Sequence, residues 1–330
     1  GSVKSQIGHT KAAAGAASLI KTVIALRNRV LPGTIKVESP SSQMTASDSP
    51  FYINTETRPW LTADDSPRRA AVRSFGFGGT NFHAVLEEYP VANRAVAWDG
   101  SVEILALSAD SKDSLLKEVE TWRSKISDGL KAAQFARSAH ASRGTFNSAH
   151  AHRLVIVISD FSKAVDLLSD VRAKLQSPSS PNAWTRSSAY YSSGSRPGKL
   201  AFVFPGQGSQ YVGMGQSLAC VFPQALDAFA IHPDGMDRPV GSYICPPPSF
   251  ERAQRDLATE KLRQTDIAQP ALAVTELAYL RILECFGIAA DTVAGHSFGE
   301  LMALRAAGRI DDDTLCHLAR ERGRLMREGK

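Results

Sequence analysis

Apolar and polar residues alternate in different rhythms along the chain, and the changes of rhythm mark three blocks. In residues 1–90 a Gly/His loop leads into Lys11 to Arg29, where Ala16, Leu19, Ile20, Val23 and Ile24 recur at helical spacing. That spacing predicts a helix with a broad buried face. A Pro/Ser-rich connection, "VESPSSQMTASDSP", follows it. Two strand candidates, "AAVRSF" and "NFHAVLEEY", then flank the glycine turn "GFGG".

Residues 91–198 read as a small α+β module bounded by flexible sequence. "SVEILALS" and "RLVIVIS" have strand character, "SKDSLLKEVETWRSKI" is an amphipathic helix capped by Ser111, and "SKAVDLLSDVRAKL" is a second helix. The rest, "QSPSSPNAWTRSSAYYSSGSRPG", reads as a loop. Residues 199–330 open with the strand "LAFVF", turn at "PGQGSQ" and continue through helices to a strand–serine–helix unit, "TVAGHSFGELMAL". Strands alternating with helices argue for a mostly parallel sheet. No internal repeat is present.

Composition narrows the classes. Apolar residues make up 43% of the 330 positions and charged residues 22%, the make-up of a soluble globular protein of two or three units. The 38 basic and 33 acidic residues are spread along the chain, and no basic block interleaved with aromatics points to nucleic acid. The longest apolar helix candidate, "AASLIKTVIAL", is broken by Lys21 and falls short of the ~20 residues of a bilayer span. Cys220, Cys245, Cys285 and Cys316 lie far apart, so reduced thiols in a cytoplasmic protein are expected, with no metal site. His140, His150 and His152 have no acidic or Cys partner at ligand spacing and read as surface or structural. The opening residues do not read as a signal peptide, so none is expected, and neither end reads as a natural terminus.

The candidate chemistry begins at Gly295-His296-Ser297-Phe298-Gly299. A serine hydroxyl attacks a carbonyl at neutral pH only when a base takes its proton. The G-x-S-x-G frame sets serine on a tight strand-to-helix turn with its hydroxyl exposed and the next residue's N–H aimed at the reacting carbonyl. The helix N-terminus adds a favourable field for an oxyanion. His296 is expected to project away from Ser297, and His317 lies well around its helix from the apolar stripe. The base is therefore expected outside this chain, and the isolated polypeptide is expected to turn over barely above background.

A second feature lies in "DDDTLCHLARERGRLM". Leu315, Leu318, Ala319, Leu325 and Met326 share a helical stripe, with Arg322 near its middle. A guanidinium facing a core needs an anion. Two readings stand: an ion pair with a fixed carboxylate, or a bidentate grip on a carboxylate of the substrate. Asp311, Asp312 and Asp313 read as a helix cap and dipole complement. Two glycine clusters are poor nucleotide sites. "GFGG" precedes a strand, and "GQGSQY" carries Tyr211 where the dinucleotide fingerprint needs glycine.

The third block resembles the acyltransferase domain of fatty acid and polyketide synthases, through "FVFPGQGSQYVGMG", "AQPAL" and "AGHSFGE" in family order. Arg322 follows Ser297 by 25 residues, as the family's malonyl-carboxylate arginine does. The resemblance implies Ser297 as acyl-accepting nucleophile and the N–H groups of Gln207 and Phe298 as oxyanion hole. It also implies Gln269 as an active-site glutamine and Arg322 as the carboxylate clamp. The first block resembles the C-terminal part of a β-ketoacyl synthase through "VKSQIGHTKAAAG" and "SFGFGGTNFHAVLEE". That implies Lys4 and His9 as active-site residues and Phe77 as gate of the acyl pocket. The middle block is similar to the linker joining the two enzymes. Lys11 after the Gly-His loop, with "CPPPSFERAQ", looks closer to iterative type I synthases, those of polyunsaturated fatty acids and enediynes.

The implied fold is α/β. It comprises the C-terminal part of a thiolase-like ketosynthase (1–90), a small α+β linker domain (91–198) and the α/β-hydrolase-like large subdomain of a malonyl acyltransferase (199–330). The implied substrate is malonyl-CoA, the acceptor is the phosphopantetheine thiol of an acyl carrier protein, and no tightly bound cofactor is needed. A homodimer through the ketosynthase is expected. Two alternatives remain, a serine esterase of the α/β-hydrolase kind and a non-catalytic docking segment.

Overall fold

The computed structural model describes every residue except 42–48, 64–65, 90–95, 97–99, 196–197 and 330. The chain divides into two compact units, one of Gly1–Ala97 with Lys199–Lys330 and the other of Trp98–Gly198.

The N-terminal part of the first unit holds α1 (Lys4–Ile7), α2 (Ala14–Asn28), the strand pair β1 (Val30–Leu31) and β2 (Arg58–Pro59), and an antiparallel hairpin of β3 (Arg69–Phe75) with β4 (Asn81–Glu87). The helix forms where its spacing predicts, after one 3₁₀ turn at Lys11–Ala13. Its broad face does not behave as expected. Leu19, Ile20, Val23 and Ile24 are exposed, and the buried positions are Ala14, Ala25 and Leu26. A period of 3.6 shows that a face is apolar, but not which residues cover it. A half-buried ion triad ties the hairpin to α2: Glu88 accepts from Arg29 and, with both oxygens, from Arg68. Much of the Pro/Ser-rich connection lies outside the described residues.

The second unit is a four-stranded antiparallel sheet with helices packed on it. Its elements are β5 (Glu103–Ala109), α3 (Lys112–Ser127), α4 (Ala132–Thr145), β6 (His152–Ile158), α5 (Ala164–Gln176), β7 (Ala183–Arg186) and β8 (Ala189–Ser193), in sheet order β5-β6-β8-β7. Alternation decides the buried face: Leu105, Leu107 and Ala109 of β5 and Leu154, Ile156 and Ile158 of β6 point inward. Leu115 and Val119 of α3 and Leu168, Val171 and Leu175 of α5 close over them. Ser111 caps α3 by accepting from the Ser114 N–H at 3.1 Å. Two elements depart from expectation. The α4 helix was not legible, and the Ser/Pro-rich segment read as a loop contains the hairpin β7–β8, with Trp184 and Tyr191 packed at 5.3 Å between centroids.

The C-terminal part of the first unit runs β9 (Ala201–Phe204), α6 (Gln216–Val221), α7 (Pro223–Phe229), α8 (Gly241–Ile244), α9 (Arg252–Arg263), α10 (Thr265–Cys285), β10 (Thr292–Gly295), α11 (Gly299–Ala306) and α12 (Asp312–Glu328). β9 and β10 pair in parallel, Gly295 opposite Phe204. α10 is buried along most of its length, the pattern of a central helix. α12 crosses it closely because position 323 is glycine. A Cβ there would come within 2.7 Å of the Thr265 carbonyl. Asp311 caps α12, accepting from the Thr314 N–H at 2.8 Å. Asp312 instead receives Arg281 and Arg305. Burial works to raise its carboxyl, but hydrogen bonds from Arg305 and Arg281 outweigh that and hold it below the ordinary value.

Candidate active site

The strand–serine–helix junction is a nucleophile elbow in geometry. Ser297 sits at φ +56°, a left-handed conformation that side chains rarely adopt, and its side chain is exposed. The flanking glycines are required by space. A Cβ on Gly295 would collide with the Gly299 backbone, and one on Gly299 with the Phe204 carbonyl. The loop after β9 leans on the same turn, since a Cβ on Gly206 would lie 2.6 Å from the His296 carbonyl. The Phe298 side chain is buried as the anchor of α11. Among the described residues, the backbone N–H groups of Gln207 and Phe298 donate to no acceptor. Two donors are thus left open beside an exposed serine.

From α12, Arg322 reaches this turn. Its Nη2 lies 3.5 Å from Ser297 Oγ, and its Nη1 donates to Gln269 Oε1 at 2.9 Å. The close crossing at Gly323 sets Arg322 against the start of α10. Neither acceptor of Arg322 is a carboxylate. The nearby Asp266 pairs with Arg327 at 2.5 Å instead.

Gln269 has 0% exposure and stands behind Arg322 in this cluster. Its amide is a junction: Oε1 accepts from Arg322, while Nε2 donates to Gln207 Oε1 at 3.3 Å and lies 3.2 Å from Met326 Sδ. Gln207 Nε2 in turn donates to Thr265 Oγ1 at 3.4 Å. Thr265 and Met326 were not read from the sequence as part of the site. Met326 carried a signal, since it lies one helical turn beyond Arg322.

The ketosynthase-like residues lie exposed in the N-terminal part of the first unit. Lys4 opens α1 and is exposed. His9 is exposed, its Nδ1 accepting from the Lys11 N–H at 3.0 Å. Phe77 stands bare in the β3–β4 turn, before Gly78 at φ +112°. Among the described residues no hydrogen bond links these three, and the acyltransferase-like cluster shares none with them.

Burial raises the thiols of Cys220 to about 11, Cys245 to about 12 and Cys316 to about 11, which suits inert structural cysteines. No three His, Cys, Asp or Glu residues cluster to hold a metal among the described residues. No helix among them is long and apolar enough to cross a membrane.

Three family models match the chain. Residues 201–330 match "Acyl transferase domain", residues 1–38 match "Beta-ketoacyl synthase, C-terminal domain", and residues 40–165 match "Ketoacyl-synthetase C-terminal extension". The polyketide synthase GfsA of Streptomyces halstedii is 36% identical over 99% of this chain, which spans 4% of that protein. One subunit of the polyunsaturated fatty acid synthase of a Thraustochytrium species is 33% identical over 99% of the chain, which spans 12% of that protein. Among solved structures, the acyl transferase domain of ZmaA superposes with a TM-score of 0.53 at 25% identity, covering 69% of this chain and 49% of that one.

Proposed function

The chain belongs to the ketosynthase–acyltransferase region of type I polyketide and polyunsaturated fatty acid synthases, and we propose that its acyltransferase part loads malonyl units. Ser297 Oγ attacks the thioester carbonyl of malonyl-CoA, and its proton passes to a general base. The tetrahedral oxyanion is received by the N–H groups of Gln207 and Phe298. The C–S bond then breaks and coenzyme A leaves as the thiol with that proton. The phosphopantetheine thiol of an acyl carrier protein next attacks the serine ester, takes the malonyl group and restores the hydroxyl. No step calls for a tightly bound cofactor.

One observation carries the malonyl assignment. Arg322 is aimed at Ser297 with its other nitrogen on a neutral amide, so its charge is open to an incoming carboxylate. An esterase of simple acyl groups has no use for that charge. The ketosynthase roles of Lys4, His9 and Phe77 belong to the same reading, and are supported by the two glycine loops that carry them. That region is also where a second copy of the synthase would associate.

The test uses the intact synthase. Intact mass should reveal a malonyl ester that Ser297→Ala abolishes, and Arg322→Ala should weaken malonyl transfer while sparing acetyl transfer. Equal loss for both acyl groups, or an ester on another residue, refutes the assignment.

A further inference from the structure

The loop that carries Gln207 is flanked by two glycines, Gly206 and Gly208, the latter at φ +114°. Such a loop is free to rotate its peptide planes unless something fixes them. An oxyanion donor has to be fixed, because its worth lies in needing no reorganisation when the charge develops. In this molecule the two residues that follow supply the fixing. Ser209 Oγ donates to the Gly206 carbonyl at 3.0 Å, and the Ser209 N–H reaches the same oxygen at 3.4 Å. Gln210 Oε1 accepts from the Gly208 N–H at 2.7 Å.

A peptide unit is planar and trans, so its carbonyl and the next residue's N–H point in opposite directions. The Gly206 carbonyl and the Gln207 N–H belong to one such unit. Holding that oxygen with Ser209 therefore aims that N–H. The Gln207 carbonyl and the Gly208 N–H belong to the next unit, which Gln210 holds. Of the loop's N–H groups at 207, 208 and 209, only that of Gln207 is left without an acceptor among the described residues.

We propose that Ser209 and Gln210 are positioning residues that lock the two peptide planes around Gln207 and aim its N–H at the oxyanion. Neither side chain touches substrate. Both act through the backbone, so their contribution belongs to the transition state rather than to binding of malonyl-CoA. The inference rests on the acyltransferase reading of Ser297.

The intact synthase with malonyl-CoA and its carrier protein is again the test. Ser209→Ala and Gln210→Ala should each lower kcat roughly tenfold to hundredfold, a fraction of the ~10²–10³ that loss of a whole oxyanion donor costs. KM for malonyl-CoA should stay within about twofold, the signature of an interaction made only in the transition state. Ser209→Thr keeps the hydroxyl and Gln210→Glu keeps the acceptor, so each should recover most of the loss. A merely structural role would lower the thermal midpoint and respond alike to both replacements at a position. Unchanged kcat in the alanine variants, or a rise in KM at constant kcat, overturns the proposal while leaving the Ser297 reading intact. Transfer that survives Ser297→Ala overturns both.

Discussion

Glu276 gives the sharpest test of the packing around the site. It lies on α10 with 8% exposure, and neither carboxyl oxygen has a hydrogen-bond partner. It borders a groove of about 440 Å³ whose walls include Phe202, Met214, Leu272, Tyr279 and Leu283. Burial alone pushes its carboxyl up from 4.5 to about 8. Below the ordinary value both the folded and the unfolded chain hold the proton, and nothing is lost. Between the two values only the unfolded chain ionises, so stability falls as pH rises and the loss is complete above about 8. At ~1.36 kcal/mol per pH unit the full span corresponds to roughly 5 kcal/mol. The groove is open to water on one side, which brings the expectation down to on the order of 3 kcal/mol. Glu276→Gln removes the ionisation and keeps the shape. The assay is pulse-labelling hydrogen exchange of α10 across a urea series at about pH 5.5 and about pH 8.5, which reads the unit holding Glu276 locally. The native chain should lose on the order of 2 kcal/mol more than the variant between these conditions, since about 2.5 of the roughly 3.5 pH units lie inside this window. Parallel pH profiles for the two would refute the argument, because the carboxyl would then be ionised or paired in the folded state.

Two further outcomes follow from the elbow and the clamp. Gly299→Ala forces a methyl group against the Phe204 carbonyl and should cost about 3 kcal/mol or more in a urea titration, so a loss under ~1 kcal/mol would show that the turn can open. Gln269→Leu removes the acceptor that holds Arg322 Nη1 and should lower kcat/KM for malonyl-CoA in the intact synthase roughly tenfold, with acetyl transfer changed less than about twofold. Equal effects on the two acyl groups would detach Gln269 from the clamp.

What the sequence made legible was set by local constraint. Gly295 sits where the Gly299 backbone leaves no room for a Cβ, a steric demand within five residues, whereas Gly299 makes way for the distant Phe204 carbonyl and is legible only through the frame it completes. Arg322 was legible because 100° per residue places it on one stripe with Leu315 and Ala319, which are buried, although Leu318, Leu325 and Met326 of the expected stripe are exposed. Ser111 and Asp311 were legible as caps for the same reason of proximity. Long-range relations were hidden. The burial of Gln269 follows from the crossing of α10 and α12 at Gly323, which joins residues far apart in sequence. The bare face of α2 shows the same limit in reverse, since its periodicity named an apolar face without naming a cover. The α4 helix escaped because only Phe135 among its buried positions is large and apolar, and Ala139 and Ser142 are too small or too polar to extend it into a stripe. In β7–β8 the inward Trp184 and Tyr191 were masked by serines, and the turn at Ser187, φ +52°, uses no glycine.

The arginines of α12 show why the clamp differs from its neighbours. Arg324 is held by Glu321 and Glu328 and Arg327 by Asp266, while Arg320 donates to the Gly235 carbonyl rather than to a carboxylate. Arg322 faces a glutamine and a serine, both neutral, and keeps a full charge beside the nucleophile. A fixed Asp in place of Gln269 would hold the guanidinium more firmly and leave nothing for a substrate. A neutral amide orients it and leaves the charge in place. An incoming carboxylate about 4 Å away gains ~4 kcal/mol of Coulomb attraction at an effective dielectric constant of about 20, before the cost of its own desolvation. An acetyl group gains nothing from that charge. The choice of glutamine at 269 therefore turns a structural arginine into a selective one, and selectivity for a diacid thioester and the stability of an unpaired guanidinium are set by the same side chain.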